Sequence, residues 1–447
     1  MTAEIVLMNK DAIAIAADSA VTLTIGHDRE KIFSSTHKIF TLSKYHPIGI
    51  MIYNDANFMG FPWETIIKDF RKKLGEEACD KVEDYADRFI KFLKNKKEFY
   101  DKNAEELYVQ HKVYGYFLSI KEIILNTLDY HLEDERNITS EMINTFSAEI
   151  CTDVINDHYN VWKNSKIIQT VPNNQGKYLN DNYSDLITVL KEKTFVNINL
   201  SEDNWNKLTS IARFLFTRYP KYLFTKHDLF FHSITSGVVI TGFGKEELFP
   251  SLKSFSIDGI FNGHLMYRVD DELKVDFHHE AWIVPFAQKD MVYSFMEGII
   301  PKYQIFIDNT LPHLLKKFQN AFIDICSDDF SEDKKMLLQS KFSNLSNELL
   351  TEYRTVLNRY RNETFVEKVT TIVSHLPKVE LALMAKTFVN LTSFKRKVSM
   401  ESETVSEPID VAIISKGDGF IWIERKHYFK SELNPQFFKN YYKKMEL

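Results

Sequence analysis

Thr2 carries a hydroxyl beside its own backbone nitrogen, and removal of Met1 turns that nitrogen into a free α-amine. Nucleophile and base then sit on one residue. The amine suits proton transfer near neutrality, because its unperturbed pKa is about 7.7–8.0. Such a pair attacks a carbonyl and forms an acyl intermediate. An acid, Asp18, ends the alanine-rich run Ala12-Ile13-Ala14-Ile15-Ala16-Ala17, and Lys38 opens Lys38-Ile39-Phe40. Lys31-Ile32-Phe33 repeats the lysine pattern, but Lys38 runs directly into the next extended segment. The ordinary reading of the same residues is a plain second residue and a strand-end ion pair.

Short apolar segments are predicted to hold these groups. Residues 2–9 and 11–18 read as paired strands with Lys10-Asp11 at the turn, and 36–53 as two more strands broken at Lys44–Pro47. From Phe58 to Leu74 the apolar period becomes helical. The pattern stays helical to about His232, apart from 171–182, where Pro, Asn, Gly and Asp predict a loop. Strand signals return at Ser236–Gly244, 252–257, 263–269 and 281–285. Helical pattern resumes near Gln288. Phe342, Leu345, Leu349, Tyr353, Val356 and Tyr360 give one helix a near-heptad face, read as core packing or as an oligomer contact. A helix follows Pro377, and Lys416-Gly417-Asp418-Gly419 marks a last hairpin. The segments are 1–74, first part of the core; 75–232, helical insertion; 233–300, second part of the core; 301–375, helical extension; 376–430, last helix and hairpin; 431–447, basic aromatic tail.

Composition bounds the class. The 447 residues are 44% hydrophobic with a net charge of -6. Acids and bases are interspersed, so no basic field for nucleic acid or membrane is expected. Three dispersed cysteines, Cys79, Cys151 and Cys326, suit a reducing compartment. The sequence does not open on a basic and then apolar leader, and no run reaches the roughly 20 apolar residues of a membrane span. The expected location is the cytoplasm. His278 and His279 are adjacent and would point to opposite faces of a strand, so no metal is expected there. Gly242-Phe243-Gly244 lacks the further glycine of a phosphate loop. No cofactor is called for.

The order threonine, acid, lysine resembles the start of proteasome β-type subunits, which are N-terminal-nucleophile hydrolases. The resemblance covers Thr2–Asp18 with Lys38–Phe40 and Ile48–Ile52, Gly237–Gly244 with Phe255–Asp258, Gln288–Gly298, and Ser406–Ile421. In the last of these, Ile409-Asp410-Val411-Ala412-Ile413-Ile414 precedes Asp418-Gly419. It implies an α+β fold, a four-layer αββα sandwich with a large helical insertion. It also implies an amide hydrolase, with a peptide as the expected substrate, acting through Thr2. Lys38 would be the active-site lysine, Asp18 the acid that holds it, and Asn54 the oxyanion position. Ser406 and Glu403 would support the amine. Departures are Asn54 for the usual glycine, Glu403 for aspartate, Ala287 for a serine and Glu407 for a glycine. A second copy or an ATPase is the implied partner. A small-molecule amidohydrolase and a non-catalytic assembly or regulatory subunit remain as alternatives.

Overall fold

The computed structural model describes residues 3–24, 30–33, 36–99, 101–133, 140–196, 198–219, 235–325, 332–399, 405, 407–427, 429–436 and 439. In chain order the strands are β1 (Ala3–Asn9), β2 (Ile13–Ala17), β3 (Val21–Thr24), β4 (Glu30–Phe33), β5 (Ile39–Thr41), β6 (Ile48–Asn54), β7 (Asn57–Phe58), β8 (Phe61–Pro62), β9 (Lys166–Ile167), β10 (Arg218–Tyr219), β11 (Ser236–Gly242), β12 (Ser251–Phe261), β13 (His264–Lys274), β14 (Ala281–Ala287), β15 (Asp410–Ser415) and β16 (Gly419–Glu424). The helices are α1 (Trp63–Leu74), α2 (Val82–Asn95), α3 (Lys102–Glu133), α4 (Ser140–Lys163), α5 (Gln175–Thr194), α6 (Glu202–Phe214), α7 (Asp290–Glu297), α8 (Pro301–Ile325), α9 (Glu332–Arg361), α10 (Glu367–His375) and α11 (Lys378–Val398). The fold is mixed, with helices beside antiparallel sheets. Contacts divide it into two units, one of Thr36–Lys274 with Ile414–Phe420, the other of Thr2–Ser35, Val275–Ile413 and Ile421–Leu447.

The first unit is built on a five-stranded sheet in the order β13-β12-β11-β6-β5. One face of β6 and β11, through Ile50, Ile52, Val238 and Ile240, shares a core with α1 and α2. α2 is read from sequence as part of the insertion, yet Tyr85, Phe89 and Leu93 bury in this sheet's core. Glycine is required at Gly237, where a Cβ would lie 1.9 Å from the Tyr53 ring, its cross-strand partner.

Helices α3 to α6 form a core of their own around Phe117, Ile120, Trp162, Leu179 and Ile211, joined by Phe261 and Met266 of the sheet. Two carboxylates pin α3 to β12 and β13. Glu105 accepts the hydroxyls of Tyr178 (2.9 Å) and Tyr183 (2.8 Å) and the Asn262 N–H (2.8 Å). Asp258, in the bulged stretch of β12, pairs with Lys112 Nζ at 2.5 Å, both side chains being 1% exposed. The loop predicted over 171–182 ends early, because α5 already begins at Gln175. Leu179, Tyr183, Ile187 and Leu190 recur at helical spacing on its buried side and outweigh the weak helix propensity of Gly176 and the asparagines.

The second unit holds β14, β1, β2 and most of β15 and β16, which pair in the sheet order β14-β1-β2-β15-β16. β1 and β2 are antiparallel, with Ile5 opposite Ala16 and Leu7 opposite Ala14. Asn9 closes their turn. Its Oδ1 accepts the Asp11 and Ala12 N–H groups, and its Nδ2 donates to the Val373 and Leu376 carbonyls, tying the hairpin to the end of α10. Ala12, Ala14 and Ala16 face α11, where their small side chains leave room for Leu381, Ala385, Phe388 and Val389. Val6, Met8, Ile13 and Ile15, on the opposite face, are buried as well. Two buried faces explain an unbroken apolar run where a half-exposed strand would alternate.

Helices α8 and α9 form a hairpin, with Phe322 packed on Phe342. A π-helical turn over Asn362–Val366 joins α9 to α10. Among the described residues no helix is long and apolar enough to cross a membrane.

Candidate active site

Asp18 lies just past the end of β2 and is fully buried. Its Oδ1 accepts the Ala3 N–H at 3.0 Å, and its Oδ2 accepts the Ala20 N–H at 2.9 Å. Its own N–H donates to the Ala3 carbonyl at 3.1 Å. Ala3 N–H belongs to the peptide that joins residue 2 to residue 3. The acid singled out by sequence therefore grips the amide that follows Thr2. Thr2 itself lies outside the described residues, as do Glu403 and Ser406.

The chain flanking Ser406 is tied down on both sides. Val405 is buried and its carbonyl accepts the Ser393 hydroxyl of α11 at 3.1 Å. The Pro408 carbonyl accepts the hydroxyl of Ser19, the residue after Asp18. Glu407 is exposed. Ala287, where the resemblance has a serine, ends β14 directly opposite Ala3. Its φ is 55°, a left-handed conformation that a residue with a Cβ rarely takes.

Lys38 and Asn54 belong to the first unit. Lys38 is 4% exposed, an unusual degree of burial for a lysine, and its carbonyl accepts the Ile52 N–H at 2.9 Å. Asn54 ends β6 opposite Ser236, with φ 67°. Asparagine is the commonest residue after glycine to accept this conformation, so a side chain is carried where the resemblance has none. Ser236 fixes the turn that follows. Its Oγ accepts the Trp63 Nε1–H at 2.8 Å and donates to the carbonyls of Asn57 (3.3 Å) and Asp55 (3.4 Å).

Two further acids, one in each unit, carry no sequence motif. Asp55 follows Asn54, and burial pushes its carboxyl up, partly offset by the Asn57 N–H bonded to it at 2.9 Å. Glu4, 2% exposed, stands between Ala17 and Phe286 on neighbouring strands. Its one signal is an acid inside the otherwise apolar run of β1.

The described residues contain no group of three or more His, Cys, Asp or Glu arranged to hold a metal ion. His279 instead stacks on Trp282, and both His278 and His279 donate backbone N–H groups to Asp276. Cys79 and Cys151 are buried free thiols; Cys326 lies outside the described residues. No protein-family model matches the chain, and no curated protein matches it.

Proposed function

We propose that the chain is a threonine amide hydrolase of the N-terminal-nucleophile type, with a four-layer αββα core and a helical insertion. The observation that carries this reading is the grip of buried Asp18 on the amide directly after Thr2. A left-handed Asn54 at the end of β6 supports it, because asparagine takes there the positive φ at a position where the resemblance has a glycine.

In this mechanism Met1 is removed and Thr2 Oγ1 attacks the carbonyl carbon of an amide. The hydroxyl proton passes to the Thr2 α-amine and then to the leaving nitrogen as the C–N bond breaks. Water, deprotonated by the same amine, attacks the resulting ester and releases the acid, restoring the Thr2 hydroxyl. Lys38 keeps the amine unprotonated near neutral pH and favours the oxyanion. Asp18 holds Lys38, and Ser406 and Glu403 orient the amine. The Asn54 N–H donates to the oxyanion; loss of one such donor costs about 2.7–4 kcal/mol. The substrate is a peptide or another amide in the cytoplasm, and a second copy or an ATPase is the partner that the resemblance implies.

Ala287, which offers no hydroxyl, and the side chain on Asn54 favour a second reading, a non-catalytic assembly subunit. One experiment separates the two. Mass spectrometry of the mature N-terminus is followed by reaction with an electrophile directed at N-terminal threonine. The hydrolase reading requires a Thr2 terminus and an adduct on Thr2, both lost in a form that retains Met1, together with amide hydrolysis abolished by Thr2→Ala and Lys38→Ala at unchanged thermal stability. A retained Met1, or a Thr2→Ala protein with full turnover, overturns it.

A further inference from the structure

Helix α11 carries neighbouring hydroxyls at Thr392 and Ser393, each residue 4% exposed. The two are used differently. Thr392 Oγ1 donates back to the Phe388 carbonyl at 2.9 Å, the ordinary outlet for a hydroxyl inside a helix. Ser393 Oγ donates out of its helix, to the Val405 carbonyl at 3.1 Å. Val405 is buried in the apolar cluster that also holds Ala3, Ala16 and Val389. A hydroxyl in such surroundings is costly unless it is bonded, and the Val405 carbonyl is the acceptor it meets.

That carbonyl belongs to the peptide joining Val405 to Ser406. A peptide is planar, so holding its oxygen holds the whole plane. Further along, the Pro408 carbonyl accepts the hydroxyl of Ser19, the residue after Asp18. The short span between the two carbonyls is thus tied at one end to α11 and at the other to the segment after β2. One turn beyond Ser393, Arg396 Nε donates to Gln288 Oε1 at 2.9 Å. Gln288 follows Ala287, which lies opposite Ala3 in the sheet. Residues three apart share a side of a helix. One turn of α11 therefore reaches both the stretch before Ser406 and the end of β14 beside Ala3.

We propose that Ser393 is a positioning residue of the hydrolytic site. It fixes the Val405–Ser406 peptide so that Ser406 meets the Thr2 amine, and Arg396 holds the end of β14 in the same frame. This rests on the hydrolase reading above, in which Ser406 orients that amine. Ser393 touches neither substrate nor reacting atoms. It acts through one peptide plane, much as Asp18 grips the peptide after Thr2. Loosening that plane leaves the nucleophile and substrate binding intact but takes the amine out of line for proton transfer. The loss then falls on kcat and spares KM.

The test compares Ser393→Ala with Thr392→Val in the full chain after Met1 removal. Each deletes one buried hydroxyl, yet only the first releases the Val405 carbonyl. The probe is a tripeptide vinyl sulfone, its adduct on Thr2 followed by mass spectrometry, beside kcat and KM on a fluorogenic peptide amide. Ser393→Ala should slow adduct formation and lower kcat by about tenfold or more at unchanged KM, while Thr392→Val stays within about twofold of wild type. Thermal melts show which variants are folded. Should Ser393→Ala fail to fold, Arg396→Met decides, since a wild-type kcat there overturns the inference. If wild type reacts at Thr2 but Ser393→Ala and Thr392→Val react equally fast, or Ser393→Ala changes KM alone, the inference falls and the hydrolase reading stands. A wild type that takes no adduct at Thr2 overturns both.

Discussion

Lys112→Met would leave one carboxylate alone in the interior. Lys112 Nζ and Asp258 Oδ2 are 2.5 Å apart, and both side chains are 1% exposed. The ammonium also donates to the Tyr108 hydroxyl at 3.1 Å and lies 5.2 Å from the centre of the Phe216 ring. Asp258 Oδ2 accepts the Tyr219 hydroxyl at 3.0 Å, while Oδ1 has no partner among the described residues. Without the cation, Asp258 keeps one neutral hydrogen bond. Removing one member of such a buried pair costs about 3–5 kcal/mol. Replacing both, as Lys112→Met with Asp258→Leu, removes the desolvation cost of two ions, an exchange that is often neutral or stabilising. Here two tyrosine hydroxyls lose their partners, at about 1–3 kcal/mol each. The double variant is therefore less damaged than the sum of the singles, with a coupling of about 3 kcal/mol. The assay is a double-mutant cycle read by hydrogen exchange in α3, which reports the first unit without assuming that the whole chain unfolds in one step. A Lys112→Met protein that loses less than about 1 kcal/mol of protection, or singles that add without coupling, would refute the reasoning.

Tyr108, Tyr116, Tyr178, Tyr183 and Tyr219 have hydroxyls held above their usual 10.0, burial being the first cause in each. Their folded values are raised, so their contribution is whole below about pH 10 and is lost as pH rises through the folded values. Absorbance titration should show these phenols ionising together with unfolding; independent ionisation of a still-folded protein would contradict this. At Asn54, φ 67° admits glycine, whereas Asn54→Val should lower stability by about 1–2 kcal/mol relative to Asn54→Gly in thermal melts. Equal stability of the two would mean that the backbone is free to relax.

Some of this architecture is legible in the sequence, and the reasons are local. The β1–β2 hairpin shows itself because its residues are apolar on both faces and Lys10-Asp11 interrupts them. The long helix α9 shows itself by spacing, and its edges fall within a residue of the periodic stretch Asp333–Tyr360. The hairpin of β3 and β4 does not, because four-residue strands of mixed polarity carry no clear period. Nor does the start of α5, where Gly176 looks like a loop residue. Its lack of a Cβ answers instead to Arg213, whose side chain would lie 3.0 Å from one. At the candidate site, the tolerance of Asn54 for a left-handed backbone is a property of the residue and can be read from its type. The burial of Glu4 and Asp55 depends on strands that meet only in the fold. The Lys112–Asp258 pair spans 146 residues, and no local pattern announces it.

The sheet's register relates that pair to the proposed chemistry. Asn54 is paired with Ser236, and Ser236 with Ile257, so these three form one row across β6, β11 and β12. Asp258 is the next residue after that row. Strands lie about 4.8 Å apart, which puts the anchor of α3 roughly 10 Å from Asn54 along the row. The bulge between Ile257 and Gly259 occurs at this point, and the backbone there is crowded, since a Cβ on Gly259 would meet Met59 Sδ and the Tyr108 ring at 3.0 Å. A shift of β12 on loss of the ion pair thus has a short path to Ser236, whose hydroxyl bonds hold the turn after Asn54. The helical insertion is for this reason more than an appendage to the sheet. Its fixation rests on Asp258 of β12 and the turn after Asn54 rests on Ser236 of the neighbouring β11, and Lys112→Met should reduce exchange protection at Asp55 and Asn57 as well as in α3. Full protection at those two amides, alongside a loosened α3, would show that the row isolates the site from the insertion.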